Sequence, residues 1–357
     1  GTLYEPGDPK RDAGFSIFYM GINLGAFLAP LVCGYLGQKI NWRLGFAVAA
    51  LGMLLGLVQY TAGARHLGSA GQRPVAGDPQ ERTRDIRRLL AGLISMAALA
   101  ATLVVLETSG LVKVTVRHLS DALGVALLAT VAAFFAWMLA GRGWTTAERK
   151  RLLVVTVLFA ASTLFWCMFE QAGSSLNLFA ERSTNKSFFG FVFPASWLQS
   201  LNALFIIVLA PVFAWLWVRL GSREPSSLAK FVLGLISAGL GFAVLAVGAR
   251  RAGHVGGVSP LWLAGVYLLH TIGELCLSPV GLSAMTRLAP QRISGLLMGV
   301  WFLSLSAGNY LGGRIASYYE ALPPATLFTL IAAFGIGAGL MLALLVKPVR
   351  LLLDDAK

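Results

Sequence analysis

Apolar residues in this chain come in long unbroken runs rather than in alternation. Ten runs stand out, at about 15–37, 42–61, 89–112, 122–140, 152–180, 195–218, 229–249, 260–286, 293–317 and 326–346. Most approach or exceed the roughly 20 residues with which an α-helix crosses the hydrocarbon of a bilayer. Barrel strands would alternate apolar and polar at every second position, and these runs do not. The pattern predicts helices, several long enough to tilt. Short polar segments separate them. The longest, 62–88, contains Gly-Ser-Ala-Gly, Arg-Pro and Asp-Pro and reads as an Arg-rich linker.

Composition sharpens this reading to an all-α polytopic membrane protein. Of 357 residues, 57% are hydrophobic and 13% charged, against about 45–50% and about 25% in soluble domains. A disordered chain, a collagen, a coiled coil and an ordinary cytosolic enzyme are excluded. The net charge of +13 does not point to nucleic acid, because Lys and Arg sit in short patches between the runs. Twenty of the 29 fall on one side of the alternating loops and nine on the other. That bias places both termini in the cytoplasm.

Soluble-type chemistry finds no support. Cys33, Cys167 and Cys276 lie inside apolar runs, without disulfide or metal-ligand spacing. No phosphate-binding glycine loop, nucleophile elbow or His-Glu-x-x-His occurs. No cofactor is expected, and a carrier driven by an ion gradient fits better than an ATP-driven pump or an enzyme.

Polar residues inside the runs are therefore the candidates for function. A carboxylate at mid-bilayer costs ~2.5–3.5 kcal/mol on insertion scales. Glu170 and Glu274 both lie well inside their runs, and no Lys or Arg occupies the middle of any run. Each carboxyl is expected to stay protonated or to find its partner on helices outside this sequence. If 152–180 is one helix, Trp166, Glu170, Gly173 and Asn177 share a face. His270, four residues before Glu274, is placed to contact it, although packing alone also explains such a histidine. Asn23, Asn202 and Asn309 carry amides that need partners in lipid. Gly308-x-x-x-Gly312 permits a close helix approach. Pro211 and Pro279 are positioned to kink their helices. Runs 89–112 and 122–140 are poor in such residues and read as packing helices.

Four longer stretches carry a family resemblance. Phe15-Ser-Ile-Phe-Tyr-Met-Gly-Ile-Asn-Leu-Gly-Ala-Phe27 resembles a signature of the proton-dependent oligopeptide transporter family (POT, or PTR). Trp166-Cys-Met-Phe-Glu-Gln-Ala-Gly-Ser-Ser-Leu176 is similar to its seventh helix. Gly273-Glu-Leu-Cys-Leu-Ser-Pro-Val-Gly-Leu-Ser283 is similar to its tenth, and Met298-Gly-Val-Trp-Phe-Leu303 to its eleventh. The resemblance runs from Asp12 onward. It implies a major facilitator fold with a site between two helical bundles near the midplane.

On that resemblance, 1–61 holds the last two helices of an N-terminal bundle, 62–88 the cytoplasmic linker, 89–140 two additional inter-bundle helices and 141–357 a six-helix C-terminal bundle. It implies symport of di- and tripeptides with protons, by alternating access, in a bacterial cytoplasmic membrane. Asn23, Trp166, Asn202, Glu274, Trp301 and Ser304 would bind peptide, and Glu170 and Glu274 would serve gating and proton coupling. The family's Glu-x-x-Glu-Arg motif and its fourth-helix lysine are not in the sequence. The expectation is that four N-terminal helices, required for a complete transporter, are missing. Two alternatives stay open: a non-transporting remnant, or a family member carrying another substrate such as nitrate or peptide-like compounds.

Overall fold

The computed structural model describes residues 10–67, 79–110, 113, 115–141 and 143–354. Eleven α-helices are present among them: α1 (Lys10–Tyr35), α2 (Trp42–Gly63), α3 (Pro79–Thr108), α4 (Val116–Ala140), α5 (Thr146–Phe169), α6 (Ser175–Ser183), α7 (Ser200–Leu220), α8 (Ser227–Val255), α9 (Leu261–Leu288), α10 (Ser294–Ala316) and α11 (Pro324–Asp354). A two-stranded antiparallel hairpin, β1 (Ser187–Phe188) and β2 (Phe191–Val192), lies between α6 and α7.

Every apolar run is largely helical. Eight helical stretches among the described residues are long and apolar enough to cross a membrane. Helix α10 falls short on composition, diluted by Gly, Ser, Asn309 and Arg314. Helix α3 starts at Pro79, inside the segment read as a linker. Residues 68–78 of that segment lie outside the described ones.

The chain divides into two compact units. Among the described residues the first comprises the start of α1, the end of α2, α3 and most of α4. In α3, Leu89, Leu93, Ile94 and Met96 are exposed, as befits surfaces that meet lipid. The second comprises 14–55 and 131–357 and carries the large core.

Within the second unit, α8 runs along α9 and α11, and α5 runs along α10. Phe165, Phe179, Phe231, Phe242 and Phe328 are completely buried where these helices meet. Local signals fix the ends. Thr145 caps α5: its hydroxyl accepts from the Glu148 amide at 3.2 Å and its own amide donates to Glu148 Oε2 at 2.8 Å. Ser226 caps α8, which ends on Gly256 at φ 74°. Helix α1 is tied to the start of α7: Trp197 Nε1 donates to the Leu31 carbonyl at 3.0 Å and Ser200 Oγ to that of Phe27 at 2.8 Å.

The glycine pair of α10 does what its spacing predicts. A Cβ on Gly308 would sit 2.9 Å from the Thr163 carbonyl, and one on Gly312 would sit 2.8 Å from that of Cys167. Helices α5 and α10 touch backbone to backbone there, a distance only glycine allows. Helices α7 and α9 run on through Pro211 and Pro279 without ending.

Candidate functional site

The run 152–180 is not one helix. Helix α5 ends at Phe169, a 3-10 turn covers Glu170–Gly173, and Ser174 leaves helical geometry at φ −128°, ψ −98°. The expected stripe through Trp166, Glu170, Gly173 and Asn177 is therefore broken. Asn177, beyond the break, accepts from Gln199 Nε2 at 3.2 Å. Gln171 holds the broken turn in place. Its Nε2 donates to the Gly312 carbonyl of α10 at 2.8 Å, and its Oε1 accepts from Ser175 Oγ at 2.7 Å and Ser174 Oγ at 3.3 Å. Fully buried as it is, this side chain satisfies its polar atoms within the protein.

Glu274 sits on unbroken α9, half-buried, facing α7. Asn202 Nδ2 donates to Glu274 Oε2 at 3.1 Å and to Thr271 Oγ1 at 3.0 Å. Thr271 in turn donates to the Tyr267 carbonyl of its own helix at 2.7 Å. One amide thus joins two α9 side chains three residues apart, on one face. Such interhelical bonds contribute ~0.6–2 kcal/mol each in lipid. Glu170 is half-buried at the helix break. Among the described residues Glu170 has no hydrogen bond or ion pair.

Helix α1 brings Asn23 and Tyr19. Asn23 is 6% exposed, and its Nδ2 donates to the Tyr19 carbonyl at 3.0 Å. Between α1 and α7 lies a cavity of about 430 Å³, walled by Ile17, Tyr19, Met20 and Asn23 on one side and by Ile206, Ile207 and Pro211 on the other. Asn202 lies one helical turn before Ile206.

The remaining candidates occupy other surroundings. Trp166 is buried between Phe165 and Phe169, edge to face, with ring centroids 5.5 and 5.2 Å away. Its indole Nε1 has no partner among the described residues. Trp301 lies on Gly281 and meets Phe231 edge to face at 6.4 Å. Ser304 is completely buried; its hydroxyl meets Ser162 Oγ at 2.8 Å and donates to the Trp301 carbonyl at 2.6 Å. That hydroxyl is occupied in the α5–α10 contact. Asn309 is exposed and stands apart from the cluster.

His270 does not reach Glu274. It is buried against the ring of Phe242 at 5.1 Å and that of Phe169 at 6.1 Å, over Gly241. The face it occupies is the one turned to α8, away from Asn202. Thr271 and Tyr19 are the residues that sequence reasoning passed over. Thr271 carried a signal, three positions before an intramembrane carboxylate.

A model of the POT family matches residues 1–330. The chain belongs to this family. It is 39% identical to the peptide transporter YePEPT of Yersinia enterocolitica, over the whole chain and 72% of that protein. It is 32% identical to a di-/tripeptide transporter of Lactococcus lactis, again over the whole chain and 72% of the relative. A crystal structure of a mutant peptide transporter POT in complex with alafosfalin superposes with a TM-score of 0.87 at 41% identity, covering 99% of this chain and 70% of that one. As a POT member the chain has an all-α major facilitator fold and is a multi-pass membrane transporter, not an enzyme.

Proposed function

We propose that this POT chain moves di- and tripeptides across the membrane together with protons, by alternating access. The observation that carries the reading is the Asn202–Glu274–Thr271 cluster beside the α1–α7 cavity. A peptide has an ammonium end and an amide backbone, and this surface offers a carboxyl group and carboxamides for them. Glu274 receives the peptide amino end when ionised and gives it up when protonated. Asn202 orients the carboxyl group, and Asn23 hydrogen-bonds peptide backbone from α1. Trp166 and Trp301 flank the side-chain pockets, and Ser304 holds α10 against α5 beneath them.

Glu170 stands at the helix break and couples its own charge to the opening of the cavity. Its place at the break after α5, where the backbone changes direction, supports this role. The energy source is a proton gradient, and no cofactor takes part. The C-terminal bundle is 141–357, with 89–140 as two additional helices. The membrane is the bacterial cytoplasmic one, and the excess of Lys and Arg in alternate loops supports an orientation with both termini inside.

The test is uptake of a labelled dipeptide by proteoliposomes under an imposed pH gradient. Wild-type protein accumulates the dipeptide, and Glu274→Gln does not. Equal accumulation by the two would overturn the role of Glu274.

A further inference from the structure

A second cavity, of about 460 Å³, lies in the second unit at the end of the helices opposite the hairpin. Arg151 of α5, Arg287 of α9 and Arg350 of α11 line it, with Ser226 and Ser227 at the start of α8. Its remaining walls are apolar, formed by Val154, Leu158, Leu228, Ala284, Leu288, Val346 and Val349. No Asp or Glu lines it. The nearby Glu148 is engaged by Arg292 at 3.4 Å, and Glu224 by Lys230. Among the described residues, neither Arg287 nor Arg350 has a hydrogen bond or ion pair.

The guanidinium groups of Arg287 and Arg350 repel each other beside this apolar hollow unless an anion sits between them. Guanidinium forks match phosphate oxygens in geometry. The first turn of α8 adds backbone amides and the positive end of a 29-residue helix. All these residues fall on the side that the Lys and Arg count places in the cytoplasm. On α11, Met341, Leu344, Leu345 and Leu351 are exposed along the same stretch, so acyl chains have a surface to lie against. Basic pockets between membrane helices on this side suit lipid headgroups.

We propose that this cavity binds a phosphate group carried by an anionic phospholipid headgroup, with its acyl chains along α11. None of its residues belongs to the peptide site, so the inference stands apart from the transport reading.

The test is native mass spectrometry of the purified chain, released from micelles supplemented with phosphatidylglycerol, phosphatidylcholine or inorganic phosphate. Phosphatidylglycerol adducts should survive collisional activation that strips phosphatidylcholine. The double substitution R287Q/R350Q should weaken phosphatidylglycerol binding about thirtyfold, and R287K/R350K should restore most of it, which separates lost charge from lost folding. Unchanged retention in R287Q/R350Q would overturn the proposal, and so would equal retention of the two lipids. Inorganic phosphate displacing phosphatidylglycerol at equal concentration would also overturn the lipid source and reassign the cavity to free phosphate.

Discussion

The two intramembrane carboxylates of this chain live in opposite settings. Glu274 rides on a continuous helix and is gripped by an amide from the neighbouring one. Glu170 stands where a helix stops, with no partner among the described residues, while its neighbour Gln171 makes the bonds that define the stop. The contrast separates two tasks. A ligand-binding carboxyl group needs fixed geometry, which a regular helix and an interhelical hydrogen bond provide. A carboxyl group that couples to movement gains from a place where the backbone can change direction.

Substitutions can break this comparison, beginning with the largest effect. Glu274→Gln keeps an acceptor for Asn202 but cannot ionise. Proton-driven uptake should fall by a factor on the order of 100, equivalent to ~2.7 kcal/mol, with thermal stability retained. Uptake within twofold of wild type, measured in proteoliposomes, would remove Glu274 from the mechanism. Gln171→Leu strands the Gly312 carbonyl and two serine hydroxyls. It should destabilise the folded protein by ~2–3 kcal/mol, read by thermal unfolding in detergent. An unchanged melting temperature would mean that the turn at Glu170 is held by something other than Gln171.

Asn202→Ala should cost about 1 kcal/mol of stability and weaken dipeptide binding, measured by ligand-induced thermal shift. A variant with wild-type binding would make the α7–α9 amide purely architectural. Glu170→Gln is expected to have the smallest effect on folding, within about 0.5 kcal/mol, because it removes no bond seen in the protein. A loss comparable to that of Gln171→Leu would show that Glu170 has a structural partner and would erase the contrast with Glu274.

Much of this was legible in the sequence, for physical reasons. Long apolar runs admit few structures in lipid, so helices at all ten positions followed from hydropathy. Glu170 and Glu274 stood out because polarity is costly where they sit. The glycine spacing of α10 announced a close helix contact, and the partner, α5, is visible only in the structure.

What escaped prediction depends on rotation and interruption. A run of apolar residues does not reveal where its helix breaks: Gly173 and Ser174 are unremarkable in composition, yet the chain turns there. Nor does i, i+4 spacing say which of two neighbours a side chain will meet. His270 and Glu274 share a helix at that spacing, but the hollow left by Gly241 captures the imidazole. Nor does composition reveal burial of charge: Lys230 is 5% exposed, paired with Glu224, its ammonium 4.1 Å from the ring centroid of Trp217.

The attachment of Gln171 to Gly312 has a kinematic consequence. A bend between α5 and α6 and a slide of α10 along its own axis would ordinarily be two independent motions. Because one side chain spans the break and grips the other backbone, neither can proceed far while the other is frozen. The α5–α6 joint and α10 therefore share one coordinate, and a probe fixed to either reports on both.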